Sequence, residues 1–94
     1  MARFIVRVEL HDASTWQDYE LLHKKMEAEG FTRTITGSNG VTYHLPPAEY
    51  EMQGSYSKEE VLTKAERAAS QTRKRHGIIV TEANGQIWRG LKEV

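Results

Sequence analysis

A-R-F-I-V-R-V-E-L-H-D, residues 2–12, alternates apolar and polar side chains with a period of two. In an extended strand that period sends successive side chains to opposite faces. Phe4, Val6, Val8 and Leu10 therefore share one face, and Arg3, Ile5, Arg7, Glu9 and His11 the other. The apolar row needs a covering layer, whereas two arginines, a glutamate and a histidine need water or polar partners. The stretch predicts a central strand in a sheet roofed by helices on one face only, with its arginine face open.

Outward from that strand, Ser14 and Gln17 have the spacing of a capping box. Trp16, Tyr19, Leu22, His23 and Met26 then recur every three or four residues up to Gly30, the pattern of an amphipathic helix with a glycine stop. Residues 31–36 and 41–45 alternate on either side of G-S-N-G at 37–40, predicting an antiparallel hairpin. Pro46 and Pro47 have no N–H to donate and interrupt the ladder. The strand is expected to resume over residues 49–55, with Tyr50 and Met52 alternating against Glu49, Glu51 and Gln53.

Ser57 and Glu60 form a second capping box, followed by Val61, Leu62, Ala65, Ala68 and Ala69, a face small enough to lie close to a sheet. The basic run Arg73-Lys74-Arg75-His76 is expected to close this helix, with Gly77 as its stop. Ile78, Ile79 and Val80 lead to Asn84-Gly85 and residues 86–91, which predict a final hairpin. The resulting fold class is α+β: a ferredoxin-like βαββαβ two-layer sandwich with an additional C-terminal edge strand, one domain over residues 1–94. The appended strand belongs on its own sheet or crosses to a second subunit, so a homodimer is expected.

Ninety-four residues suffice for one core. Thirteen basic and thirteen acidic residues cancel, so no global field draws the chain to nucleic acid or to an anionic membrane. The chain lacks cysteine, which removes disulfides, thiol nucleophiles and cysteine-ligated zinc. Without an apolar leader or a run of about eighteen apolar residues, the expectation is a cytoplasmic protein with no membrane association.

Four stretches carry a resemblance. R-F-I-V-R-V-E-L-H-D at 3–12, M-E-A-E-G-F-T-R-T-I at 26–35, V-T-Y-H-L-P at 41–46 and I-V-T-E-A-N-G-Q-I-W-R-G-L at 79–91 look like small bacterial proteins of the GhoS endoribonuclease antitoxin family. The resemblance spans nearly the whole chain. It implies a ferredoxin-like fold and an endoribonuclease that cleaves the messenger RNA of a small membrane toxin, the antitoxin of a type V toxin-antitoxin system. It assigns no catalytic residue by position.

The residues themselves offer several sites. His11 and Asp12 fall where the first strand meets the first helix, where rigid elements hold a side chain from both sides. The imidazole there suits removal of a 2'-hydroxyl proton, and the carboxylate suits Mg²⁺ bound against phosphate. The competing role for Asp12 is to shape the turn into the helix. Arg7 and Arg33, with Arg3, are candidates to bind phosphate and stabilise a phosphorane-like transition state on the open face, or to form cross-strand ion pairs with Glu9 and Glu51. His11, Asp12, Arg7 and Arg33 form the candidate catalytic set.

Arg73, Lys74, Arg75 and His76 are candidate anchors for an RNA backbone, or cations complementing a helix dipole. His44, beside the double proline, joins the nucleic-acid-binding set, whereas His23 reads as a half-buried helix residue. Trp16 and Trp88 read as core or dimer-contact residues, and the open face of the first strand lacks the aromatics of a base-stacking sheet.

Two functions of different class remain. One is a small endoribonuclease acting on single-stranded RNA with no resident cofactor, apart from Mg²⁺ through Asp12. The other is a non-catalytic module that docks on nucleic acid or on a host protein complex, as a phage or mobile-element inhibitor would. A small-molecule-binding dimer has little support, because no glycine-rich phosphate loop is present.

Overall fold

The computed structural model describes residues 2–12 and 15–94. Among them the element order is β1 (Ala2–Leu10), α1 (Trp16–Ala28), β2 (Thr34–Thr36), β3 (Thr42–His44), β4 (Glu49–Gly54), α2 (Lys58–Ser70) and β5 (His76–Ala83). It is an α+β fold with two helices and antiparallel sheets. β1 is the centre of a three-stranded sheet in the order β4-β1-β5, and β2 and β3 form a separate two-stranded ribbon.

The alternation of β1 is realised. Phe4, Val6 and Val8 are fully buried and Leu10 nearly so. They pack with Leu22 and Met26 of α1, Val61, Ala65, Ala68 and Ala69 of α2, and Tyr50 and Met52 of β4. Both helices thus cover the same face. Each fully buried valine or phenylalanine contributes on the order of 1.5–3 kcal/mol of burial free energy, which is why this row fixes the sheet. The two helices are tied by a bidentate contact, Arg67 Nε and Nη2 donating to the Glu29 carboxylate at 2.7 and 2.8 Å.

Each helix starts on a reciprocal capping box. In α2 it is the expected Ser57 with Glu60. In α1 it is Thr15 with Asp18, where both halves of the box are made; the Ser14 of the expected box lies outside the described residues. Gly30 closes α1 at φ 98°, a left-handed position that glycine takes without Cβ strain.

Several expectations need correction. β1 ends at Leu10, and Asp12 turns the chain out of the sheet at φ 64°. Only residues 34–36 of the 31–36 segment form strand, while Thr32 makes an isolated bridge to Glu51 on the outer edge of β4. α2 ends at Ser70, before the basic run; His76 and Gly77 already belong to β5. A tight turn explains the early stop: Thr72 Oγ1 donates to the Ala69 carbonyl and Arg73 sits at φ 61°.

The additional C-terminal edge strand is absent: residues 86–91 form no strand, and the second hairpin is not made. The chain beyond Asn84 turns back to β3 instead, where the His44 N–H donates to the Lys92 carbonyl and the Val94 N–H to the Thr42 carbonyl.

That return path also changes the open face. Glu51 pairs with Ile5 across β1 and β4, so it shares the face away from the helices, yet it is only 6% exposed. Arg3 pairs with Glu51 at 3.1 Å and donates to Gln86 of the returning chain. The β2-β3 ribbon and the C-terminal segment therefore cover the Arg3 end of the face, leaving Arg7 and Glu9 exposed at the other end.

Candidate nucleic-acid interface

The expected set does not assemble in one place. Asp12 accepts from Arg75 Nε and Nη2 at 2.6 and 2.5 Å, an exposed bidentate pair between residues 63 positions apart. That guanidinium holds the Asp12 carboxyl below its ordinary range. Both oxygens of the one carboxylate suggested for Mg²⁺ are thus engaged. Among the described residues no three His, Cys, Asp or Glu side chains come together as a metal site would need. The surroundings do not fit Mg²⁺ at Asp12.

His11 lies 3.7 Å from the Glu9 carboxylate. Arg7 lines a shallow cleft with Glu9, Tyr19, Ala48 and Ile79, and Arg3 lines another with Tyr43, Gln86 and Trp88. Neither cleft includes Arg33.

The basic run is largely matched by acids. Arg75 is held by Asp12, Lys74 lies 3.8 Å from Asp18, and His76 Nε2 is 2.9 Å from Glu66. Its second ring nitrogen is 2.9 Å from the Lys74 carbonyl. Two acceptors on one imidazole fit the doubly protonated ring. Burial works against that charge, but the Lys74 carbonyl and Glu66 outweigh it, and the His76 pKa is raised. Matched charges at this corner fasten β5 and the α2 exit to the start of α1.

Arg33 and His44 do come together. With Glu27, Phe31, Thr32 and Thr34 they line a cleft of about 510 Å³ at the junction of α1 with the β2-β3 ribbon. The hairpin brings them there: the Leu45 N–H donates to the Arg33 carbonyl, and His44 stands opposite Thr34. A second cleft of about 520 Å³ shares Glu27 and Arg33 and continues along α1 over His23, Lys24, Glu20, Tyr19 and Trp16. Together they form one groove. Arg33, His44 and Glu27 are exposed along it, and Trp16, expected in the core or at a dimer contact, is 75% exposed at its far end.

Behind the groove, Tyr50 Oη is 2.6 Å from His23 Nδ1. Burial pushes the Tyr50 phenol far above its ordinary pKa. Burial also lowers that of His23, and the nearby Arg33 charge adds to the shift against the opposing Glu20 and Glu27. The bond joins a buried phenol to the imidazole, and which of the two donates follows the ring tautomer. His23 thus lines the groove with its Nδ1 already engaged by Tyr50.

Sequence reasoning singled out Arg33 and His44 but missed Glu27, Tyr50 and the role of Trp16. One signal was available. Trp16, Glu20, His23 and Glu27 succeed one another at steps of four, three and four, so they form a single stripe on α1 beside its apolar face.

No protein-family model matches the chain, and no curated protein matches it.

Proposed function

We propose that the chain is a small cytoplasmic endoribonuclease that binds single-stranded RNA in the groove between α1 and the β2-β3 ribbon, an activity of the GhoS antitoxin type. The observation that carries the reading is that Glu27, Arg33 and His44 line one cleft. Metal-independent RNA cleavage needs a base for the 2'-hydroxyl, a cation for the phosphorane oxygens and an acid for the departing 5'-oxygen. A carboxylate, a guanidinium and an imidazole can fill those three roles.

In this reading the Glu27 carboxylate takes the 2'-hydroxyl proton as that oxygen attacks phosphorus. Arg33 compensates the charge that grows on the non-bridging oxygens, and protonated His44 gives its proton to the leaving 5'-oxygen. The products are a 2',3'-cyclic phosphate and a free 5'-hydroxyl. The His23 imidazole lines the path of the bound strand. The exposed indole of Trp16 gives a neighbouring base a surface to stack on, as single-strand binders use aromatic side chains.

The finer fold assignment belongs with this proposal. The βαββαβ succession, β1 flanked by antiparallel β4 and β5, and the bridge from Thr32 to the outer edge of β4 support a ferredoxin-like topology in which the second strand is broken into bridge and ribbon.

Incubation of the purified protein with end-labelled single-stranded RNA in EDTA tests the reading, with an Arg33→Ala/His44→Ala preparation as control. Cleavage by the native protein alone supports it. RNA that is bound but stays intact would leave a non-catalytic binding module.

A further inference from the structure

The outer edge of β5 is open. Among the described residues β5 pairs only with β1, because the chain beyond Asn84 leaves the sheet to run beside β3. An edge strand of eight residues presents a row of unpaired N–H and C=O groups, which proteins commonly blunt with lysine, proline or a bulge. H-G-I-I-V-T-E-A contains neither residue, and its ladder with β1 runs unbroken from His76 to Ala83. Ile79 stands 62% exposed near its middle.

The hydrogen-bond phase of the sheet identifies the free groups. The Val8 N–H donates to the Ala48 carbonyl, so the even-numbered residues of β1 face β4 and the odd ones face β5. The His11 N–H donating to the Arg75 carbonyl agrees. β5 residues opposite odd β1 positions, Ile79 among them, therefore spend their backbone groups on β1. His76, Ile78, Val80 and Glu82 point theirs outward.

We infer that this edge pairs with a second copy of itself, antiparallel about a two-fold axis through Ile79, joining two sheets into one of six strands. This goes beyond the RNA-cleaving reading and does not rest on it.

The register follows from the same phase. An antiparallel pair centred on Ile79 puts Ile78 opposite Val80 and His76 opposite Glu82 of the other copy. All four outward-pointing residues then enter hydrogen-bonded pairs. Shifting the centre by one residue along the strand leaves one of the four unpaired and moves Glu82 or His76 opposite an aliphatic side chain. The favoured register sets His76 opposite Glu82 at each end, an isologous arrangement. The two Ile79 side chains meet on the axis as a non-hydrogen-bonded pair, the closer type of antiparallel pair.

The absence of cysteine makes the test clean. The native protein at high micromolar concentration should sediment at twice its 10.8 kDa chain mass, and Ile79→Lys should sediment as a folded monomer. Ile79→Cys should close a disulfide between copies under mild oxidation. Thr81→Cys, exposed on the same face but opposite Gly77 of the other copy, should not. A native protein that stays monomeric would overturn the inference, as would an Ile79→Lys variant that remains dimeric. Cross-linking at position 81 as fast as at position 79 would do the same.

Discussion

The Tyr50 hydroxyl meets Nδ1 of His23 at 2.6 Å, joining the start of β4 to the groove side of α1. Tyr50 is fully buried and His23 half-buried, so the pair couples core and groove through one hydrogen bond. Tyr50→Phe keeps the ring and removes the hydroxyl, leaving the imidazole Nδ1 without its partner. Urea unfolding should show a loss of about 1–2 kcal/mol. An unchanged midpoint would mean that the bond adds nothing.

The histidines give stability two opposite pH dependences. The His23 pKa is lowered by folding, so the unfolded chain binds its proton more readily. Stability from this residue is present above the unfolded value of about 6.5 and declines as pH falls through it towards the folded value. The His76 pKa is raised, so its contribution is present below the unfolded value and is lost as pH climbs through the folded one. An NMR titration of the ring protons should find His23 with the lower midpoint and His76 with the higher. The reverse order would contradict the assigned environments.

The two capping boxes are far apart and should act independently. Thr15→Ala and Ser57→Ala are each expected to cost about 1 kcal/mol, and the double variant close to the sum. Denaturant midpoints of the three variants check this; strong non-additivity would mean that the helix starts are coupled.

The groove and the β1-α1 junction make different kinetic demands. Glu27→Gln and His44→Ala should each lower the RNA cleavage rate by about 10²-fold or more, the scale of a lost general acid or base. Asp12→Asn should leave it within a few-fold, because that carboxylate is occupied by Arg75. Rates measured at saturating RNA decide between the two sites, and loss of activity in Asp12→Asn alone would return the site to the junction.

Trp16 is too exposed to stabilise the core, so Trp16→Ala should leave unfolding nearly unchanged. RNA affinity should fall by the ~1–3 kcal/mol of one lost stacking contact. Fluorescence anisotropy with labelled RNA measures it, and unaltered binding would remove Trp16 from the groove's function.

Much of the fold was legible because it depends on local periodicity. The two-residue alternation of β1 named its buried face, helical spacing placed Leu22, Met26, Val61 and Ala65, and Ser57 with Glu60 marked a helix start. What escaped depends on distant partners. Nothing near Arg75 announces Asp12, and a basic run reads as a free patch until its acids are in place. Residues 86–91 follow the Asn84-Gly85 step, which reads as a hairpin turn. Their chain is drawn back instead by backbone bonds to β3 and the contact of Trp88 with Tyr43, whose ring centres are 5.6 Å apart.

The candidate site was half legible: Arg33 and His44 carry obvious chemistry, whereas Glu27 looked like one more solvated helix carboxylate. Only the packing of the ribbon beside α1 puts the three in one cleft.

The chemistry assigned to that cleft is tested most directly by the ends of the RNA fragments. Mass spectrometry of products made in EDTA should find 2',3'-cyclic phosphate and 5'-hydroxyl termini, both absent with Arg33→Ala/His44→Ala. Termini bearing 3'-hydroxyl and 5'-phosphate, formed only when Mg²⁺ is supplied, would contradict it.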